Sequence, residues 1–206
     1  PQDALTACEE AMALQPDEEL WTTVMADRGR ALALLGRHAT ALRSLGEAVD
    51  ELVQRGTVQR RSGQQLQGYL RELYAERQAR GELHEAIGYL ELATRLIPES
   101  QPAARLDGDE LLGRTCAAAA DAEAPGRPVV EFRRAGGAAF KRAATLAHDD
   151  GERYRALVWA AAEQFDRGGW TRDARRMLLK FIEMAGDDPR LAQALLSVGQ
   201  GYEREG

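Results

Sequence analysis

Residues 66–100 read LQGYLRELYAERQARGELHEAIGYLELATRLIPES. Gly81 divides the stretch into two amphipathic halves. Ahead of it, Leu70 and Leu73 lie on one helical face. Behind it, Ala86, Leu90 and Ala93 are spaced by four and then three residues, so a methyl, a bulky side chain and a methyl point together toward a neighbouring helix. Pro98 ends that run, because it can neither donate a helical hydrogen bond nor avoid the preceding turn. Glycine between the halves supplies the left-handed residue that closes a helix without strain. The stretch therefore predicts two helices folded back on one another across a tight turn.

Its spacing recurs along the chain. A seven-residue step ending in glycine joins Gly29 to Gly36, Tyr74 to Gly81, Ala162 to Gly169 and Gly199 to Gly206, and alanine follows the first three at Ala41, Ala86 and Ala174. The face of the second helix returns as Ala4, Cys8, Ala11 with Pro16; as Ala41, Leu45, Ala48; as Gly136, Phe140, Ala143; and as Ala174, Leu178, with Phe181 in the second small position. First helices carry their own faces: Leu32 and Leu35, then Val158, Ala161 and Phe165, then Leu195, Val198 and Tyr202. Recurrence of this kind marks an architecture in which each helical pair buries its apolar face by stacking on its neighbours.

On these residues the chain resembles the tetratricopeptide repeat family, whose unit is two antiparallel helices of about 34 residues. Residues 66–100 carry the pattern in full, residues 25–53 and 155–188 match well, and residues 136–148 match the second helix alone. The resemblance implies an all-α superhelix, a solenoid of about ten helices with irregular repeat lengths, forming a single elongated domain over 1–206. Two departures stand out. Ala41 and Ala86 are 45 positions apart, and DAEAPGRPVVE at 121–131 is expected to be a loop insertion, since Pro125 and Pro128 lack backbone donors and Gly126 favours a turn.

Both ends read as cut repeats. Residues 1–16 look like a second helix without its first, and residues 195–206 like a first helix without its second. This predicts a fragment of a longer protein whose exposed end faces, Ala4, Cys8 and Ala11 at one end and Leu195, Val198 and Tyr202 at the other, drive end-to-end self-association. The compartment is unknown.

Alanine, leucine, arginine and glutamate dominate, aromatics make up 6% and no β-branched run suggests a strand. No stretch approaches the roughly 18 apolar residues of a transmembrane segment. Net charge is −6, with 27 basic and 33 acidic side chains. The basic clusters (Arg55, Arg60, Arg61; Arg127, Arg133, Arg134; Arg172, Arg175, Arg176) fall in different repeats with carboxylates between them, which argues against a nucleic-acid stripe. Cys8 and Cys116 are expected to be buried, unpaired thiols.

The chemistry-bearing residues form no catalytic pattern. His38, His84 and His148 have no metal-ligand spacing. His84-Glu85 begins like a zinc-protease helix, but Gly88 stands where the second histidine belongs. The acidic runs 107–110 and 149–152 lack a calcium-loop pattern and are expected to cap helix starts. Neither Gly136-Gly137 nor Gly168-Gly169 follows a strand or leads to the lysine of a phosphate loop. The expectation is a non-enzyme with no cofactor and no metal.

In tetratricopeptide arrays the first helices line a concave groove that receives an extended peptide or a partner helix. The resemblance thus implies a scaffold or adaptor for a protein or peptide partner, or alternatively a sensor module of a larger signalling ATPase or transcription regulator. Carried onto this register, the groove residues are Asp27 and Arg30; Arg71, Glu72 and Gln78; Trp159, Glu163 and Asp166; and Gln193 and Gln200. Trp159 is either an exposed anchor in that groove or a packing residue against the preceding repeat. Trp21 and Trp170 sit at helix-turn edges and are expected to cover apolar surface. One subset of the family holds acidic chaperone tails with a lysine, asparagine and arginine clamp. The matching places here carry Ala26, Asp27, Arg30, Gly68 and Glu72, so that ligand class is not expected.

Overall fold

A computed structural model of the chain describes residues 1–14 and 16–205, with the backbone alone at Glu18, Glu19, Arg204 and Glu205. The described residues form ten α-helices and no strand. Contacts divide the chain into two compact units, Pro1–Gln101 and Pro102–Gly206. The first unit holds α1 (Gln2–Ala13), α2 (Glu18–Leu34), α3 (His38–Gln54), α4 (Arg61–Ala79) and α5 (Leu83–Arg95). The second holds α6 (Pro102–Ala122), α7 (Arg127–Leu146), α8 (Gly151–Arg167), α9 (Thr171–Met184) and α10 (Leu191–Glu205). Within each unit, helices adjacent in the chain pack as pairs, except that α3 packs on α2 and α5 rather than on α4; this is the layering of an α-helical solenoid.

The recurring glycines do what their spacing predicts. Gly81 has φ +74° and Gly169 φ +83°. At the first, the Gly81 amide donates to Gln78 and the Glu82 amide to Arg77; at the second, Gly169 donates to Asp166 and Trp170 to Phe165. These crossed bonds satisfy carbonyls left over at a helix end, and they turn the chain back in three residues. Gly36 repeats the arrangement, as does Gly56 at the end of α3, outside the recurring series. Gly206 lies outside the described residues.

Second-helix faces are buried as expected: Ala41, Leu45, Ala48, Ala86, Leu90, Ala93, Ala174, Leu178 and Phe181 are each at most 5% exposed. At several crossings a large side chain sits directly on a glycine. A Cβ on Gly29 would meet Leu45, one on Gly88 would meet Leu42, one on Gly113 the Phe140 ring, and one on Gly137 the Phe165 ring, all closer than 3.0 Å.

Three expectations need correction. The end faces are exposed only in part: Ala4, Leu195 and Tyr202 face out as expected, whereas Cys8 and Val198 are buried, the first with Leu5 in α1 and the second with Ala194 and Gly201 in α10. The break expected over 121–131 is confined to 123–126. Asp121 still belongs to α6, and Pro128 lies in the first turn of α7, where no intrahelical donor is needed. The acidic run 107–110 starts no helix but lies inside α6; the other run behaves as expected, Asp150 accepting the Arg153 amide at 3.1 Å as the N-cap of α8. Neither Cys8 nor Cys116 is in a disulfide, and both are buried.

Substituting Gly137→Ala should cost about 1–3 kcal/mol, because a phenylalanine ring cannot swing clear as a flexible chain end does. Ala86→Leu should cost a similar amount at its fully buried position. Denaturant melts check both, and neutrality at both sites would contradict the packing of these faces.

Candidate functional site

In the first unit a cavity of about 420 Å³ opens between α2 and α4, the first helices of consecutive pairs. From α2 come Ala26, Asp27 and Arg30, one turn apart; from α4 come Gly68, Tyr69 and Glu72, with the same spacing. Leu52 and Leu66, both buried, form its apolar floor. The site exists because α2 and α4 are held by other helices: α2 packs on α3, α4 on α5, and α3 on α5.

Charge in this cavity is unbalanced. Arg30 lies over the Tyr69 ring, 5.0 Å from its centroid, a cation–π contact. Tyr69 itself has a buried hydroxyl with no hydrogen-bond partner, and burial pushes its pKa up to about 12. Asp27 and Glu72 are exposed to the groove, and neither is in an ion pair among the described residues. Gly68 has open space where a Cβ would stand.

Of the ten groove residues expected from the sequence, the cavity brings together Asp27, Arg30 and Glu72. Arg71 and Gln78 are exposed on α4 but do not line it. In the second unit Glu163 and Asp166 are exposed on α8, Glu163 lying 3.7 Å from Arg167, and Gln193 and Gln200 are exposed on α10. Trp159 is a packing residue, but it packs forward on α9 and not, as expected, on the preceding repeat. It is half-buried against Phe181, ring centroids 5.1 Å apart, with Arg190 over its ring at 5.5 Å. Asp188 holds that arginine in place, and the hydrogen bonds from the Arg190 side chain and backbone keep the aspartate pKa at about 2. Trp170 likewise packs against the core of this unit.

Two buried arginine networks escape sequence reasoning. In the first unit Arg77 of α4, 6% exposed, donates to Glu82 at 2.5 Å, Glu76 at 2.6 Å and His38 Nε2 at 3.1 Å. An arginine cannot accept, so His38 Nε2 is the acceptor, and the imidazole proton sits on Nδ1, 2.8 Å from the Tyr89 hydroxyl. Three helices thus meet through one imidazole. In the second unit Arg133 of α7, 3% exposed, donates to Gln164 Oε1 at 2.8 Å and to Asp121, which also accepts from Arg167 at 2.7 Å. The run 107–110 works in the same way: Asp109 accepts from Arg142, and Asp107 and Glu110 accept from Arg153. The buried polar residues Arg77 and Asp109 each continue an apolar stripe, Leu70, Leu73, Arg77 and Leu106, Asp109, Gly113, whereas Asp107, Asp121 and Arg142 are exposed. A charged residue in register with a buried face is the signal that could have found the two buried ones.

Among the described residues no three histidine, cysteine or acidic side chains come together as metal ligands, and no helix is long and apolar enough to cross a membrane.

Two outcomes follow from this geometry. Gly68→Ala should raise stability by about 0.5–1 kcal/mol, since it adds a methyl to a helix interior facing open space; a fall in melting temperature would mean that α2 stands closer than described. The hydrogen bond and charge of Arg133 hold the Asp121 carboxyl below the ordinary aspartate value. A depressed folded-state pKa contributes stability above the unfolded value, near 3.8, and loses it as pH falls through the lower folded value. Asp121→Asn should therefore lower the melting temperature at pH 7 and narrow the gap to the parent chain toward pH 2. A gap independent of pH would remove the ion pair from the account.

Compared with known proteins, the chain matches no protein-family model and no curated protein.

Proposed function

We infer that the chain is a partner-binding scaffold whose α2/α4 groove receives an extended segment of another protein. The observation that carries this reading is the cavity itself. It opens between the first helices of two consecutive pairs, where the tetratricopeptide resemblance puts a ligand groove, and it gathers Asp27, Arg30 and Glu72 around an apolar floor. Size favours an extended occupant over a helix. One turn of α-helix with its side chains, about 10 Å across and 5.4 Å long, fills roughly 400 Å³, and the cavity is of that order. A helix gripped in a groove normally uses anchors spread over two turns or more. An extended segment instead buries one or two side chains and leaves its flanks on the α2 and α4 surfaces.

Gly68→Leu tests the reading. It projects a bulky side chain into the cavity from a position where nothing is in the way, and leucine is a better helix former than glycine. Peptides selected from a displayed random library on the parent chain should bind the variant at least about tenfold more weakly, while its thermal melt is no lower. A library yielding no binders, or binders indifferent to Gly68→Leu, would remove the groove as the functional surface.

A further inference from the structure

The cavity has a charge pattern that specifies more than a groove. Two carboxylates, Asp27 on α2 and Glu72 on α4, stand on facing walls, and neither is in an ion pair among the described residues. Among the described residues the one cation that lines the cavity, Arg30, is over the Tyr69 ring. Elsewhere in this unit carboxylates close to arginines are paired: Glu51 with Arg55, Asp50 with Arg95, Glu76 and Glu82 with Arg77. A segment lying across the groove takes Asp27 and Glu72 out of water, which is costly unless the segment supplies a compensating cation.

We propose that the α2/α4 groove selects an arginine side chain in the extended segment it receives, seating the guanidinium between Asp27 and Glu72. This rests on the groove reading given above. Arginine fits better than lysine on three counts. Its planar fork offers five donors to two acceptors approaching from opposite walls. It is more weakly hydrated than an ammonium, so entering the cavity costs less. Its methylene stem covers apolar surface, here Ala26, Leu52 and Leu66, while the head stays among polar groups. An acidic side chain in the same place meets two like charges, and a neutral one leaves both carboxylates desolvated and unpaired.

The chain is acidic overall, so a basic peptide is drawn to it without any specific seat. The experiment separates the two effects by using an uncharged obstruction. Four fluorescent nonapeptide pools, random and neutral except for a fixed central Arg, Lys, Leu or Glu, are titrated with the folded chain at about 150 mM salt, where charges more than about 8 Å apart are screened. The central-Arg pool should bind at least about tenfold more tightly than the Leu and Glu pools and several-fold more tightly than the Lys pool. The double variant Asp27→Asn, Glu72→Gln should erase that ranking, and Gly68→Leu should weaken every pool. A Glu or Leu pool that binds the parent chain as well as the Arg pool, and still loses affinity with Gly68→Leu, overturns the arginine seat but leaves the groove in place. Equal binding of Lys and Arg overturns the preference for a guanidinium. An Arg preference that survives the double variant moves the seat away from these carboxylates. Pools that bind the parent chain and Gly68→Leu alike, or no binding by any pool, refute the groove itself.

Discussion

A bulky side chain resting on the backbone of a glycine is the contact from which the rest of this structure follows. Leu45 occupies the space a Cβ on Gly29 would need, and Leu42 does the same on Gly88. The first contact sets how closely α2 approaches α3, and the second how closely α5 approaches α3. With α4 fixed on α5, the positions of α2 and α4 are then determined through their partners, and the cavity opens between them. In the second unit Phe140 on Gly113 and Phe165 on Gly137 join α6 to α7 and α7 to α8 in the same manner. Interiors packed to crystal-like density transmit such constraints, since a gap or excess of one methylene is felt by every neighbour.

Buried arginines add a second layer of specification. Packing of aliphatic faces is tolerant of sliding, because leucine and alanine surfaces fit in several registers. Arg77 and Arg133 are not tolerant. Each has terminal guanidinium donors met inside the unit on separate elements: Arg77, whose buried Nε has no partner, on α3 and at the α4/α5 turn, Arg133 on α6 and α8. A shift of one residue in either register strands a buried charge, which costs far more than a lost aliphatic contact. His38 shows the same discipline on a smaller scale. Its ring accepts on one nitrogen and faces the Tyr89 hydroxyl on the other, so α3, α4 and α5 agree on one arrangement.

What the sequence revealed and what it concealed divide along physical lines. Helix pairs and their turns were legible because glycine has a unique conformational role and because small and large residues repeat at helical spacing. The central second-helix faces were assigned to the residue for the same reason. The end helices were not. With one neighbour each in place of two, α1 and α10 present only a narrow stripe inward, and Leu5 or Ala194 serves that stripe as well as the residue beside it. Pro128 misled because proline breaks a helix interior but suits a first turn, and its position relative to the helix start is a property of the fold. The acidic run 107–110 misled because capping and cross-helix pairing use the same residues; only the arrival of Arg142 and Arg153 decides between them.

The candidate site was legible in part, and the part that was missed is informative. Asp27, Arg30 and Glu72 were expected on the groove from the tetratricopeptide resemblance carried onto the helical register, whereas the roles of Tyr69 and Gly68 depend on the distance between α2 and α4, which no local pattern encodes. Tyr69 matters because it holds Arg30. Without that ring, Arg30 would be the natural partner for a carboxylate one turn away on its own helix or facing it across the groove. With the ring in place, the cation has a contact of its own. Gly68 matters because a side chain there would fill the space between the walls. The open floor and the uncompensated charge therefore arise from two residues of α4 that are neighbours in sequence, one supplying an aromatic face and the other supplying nothing at all.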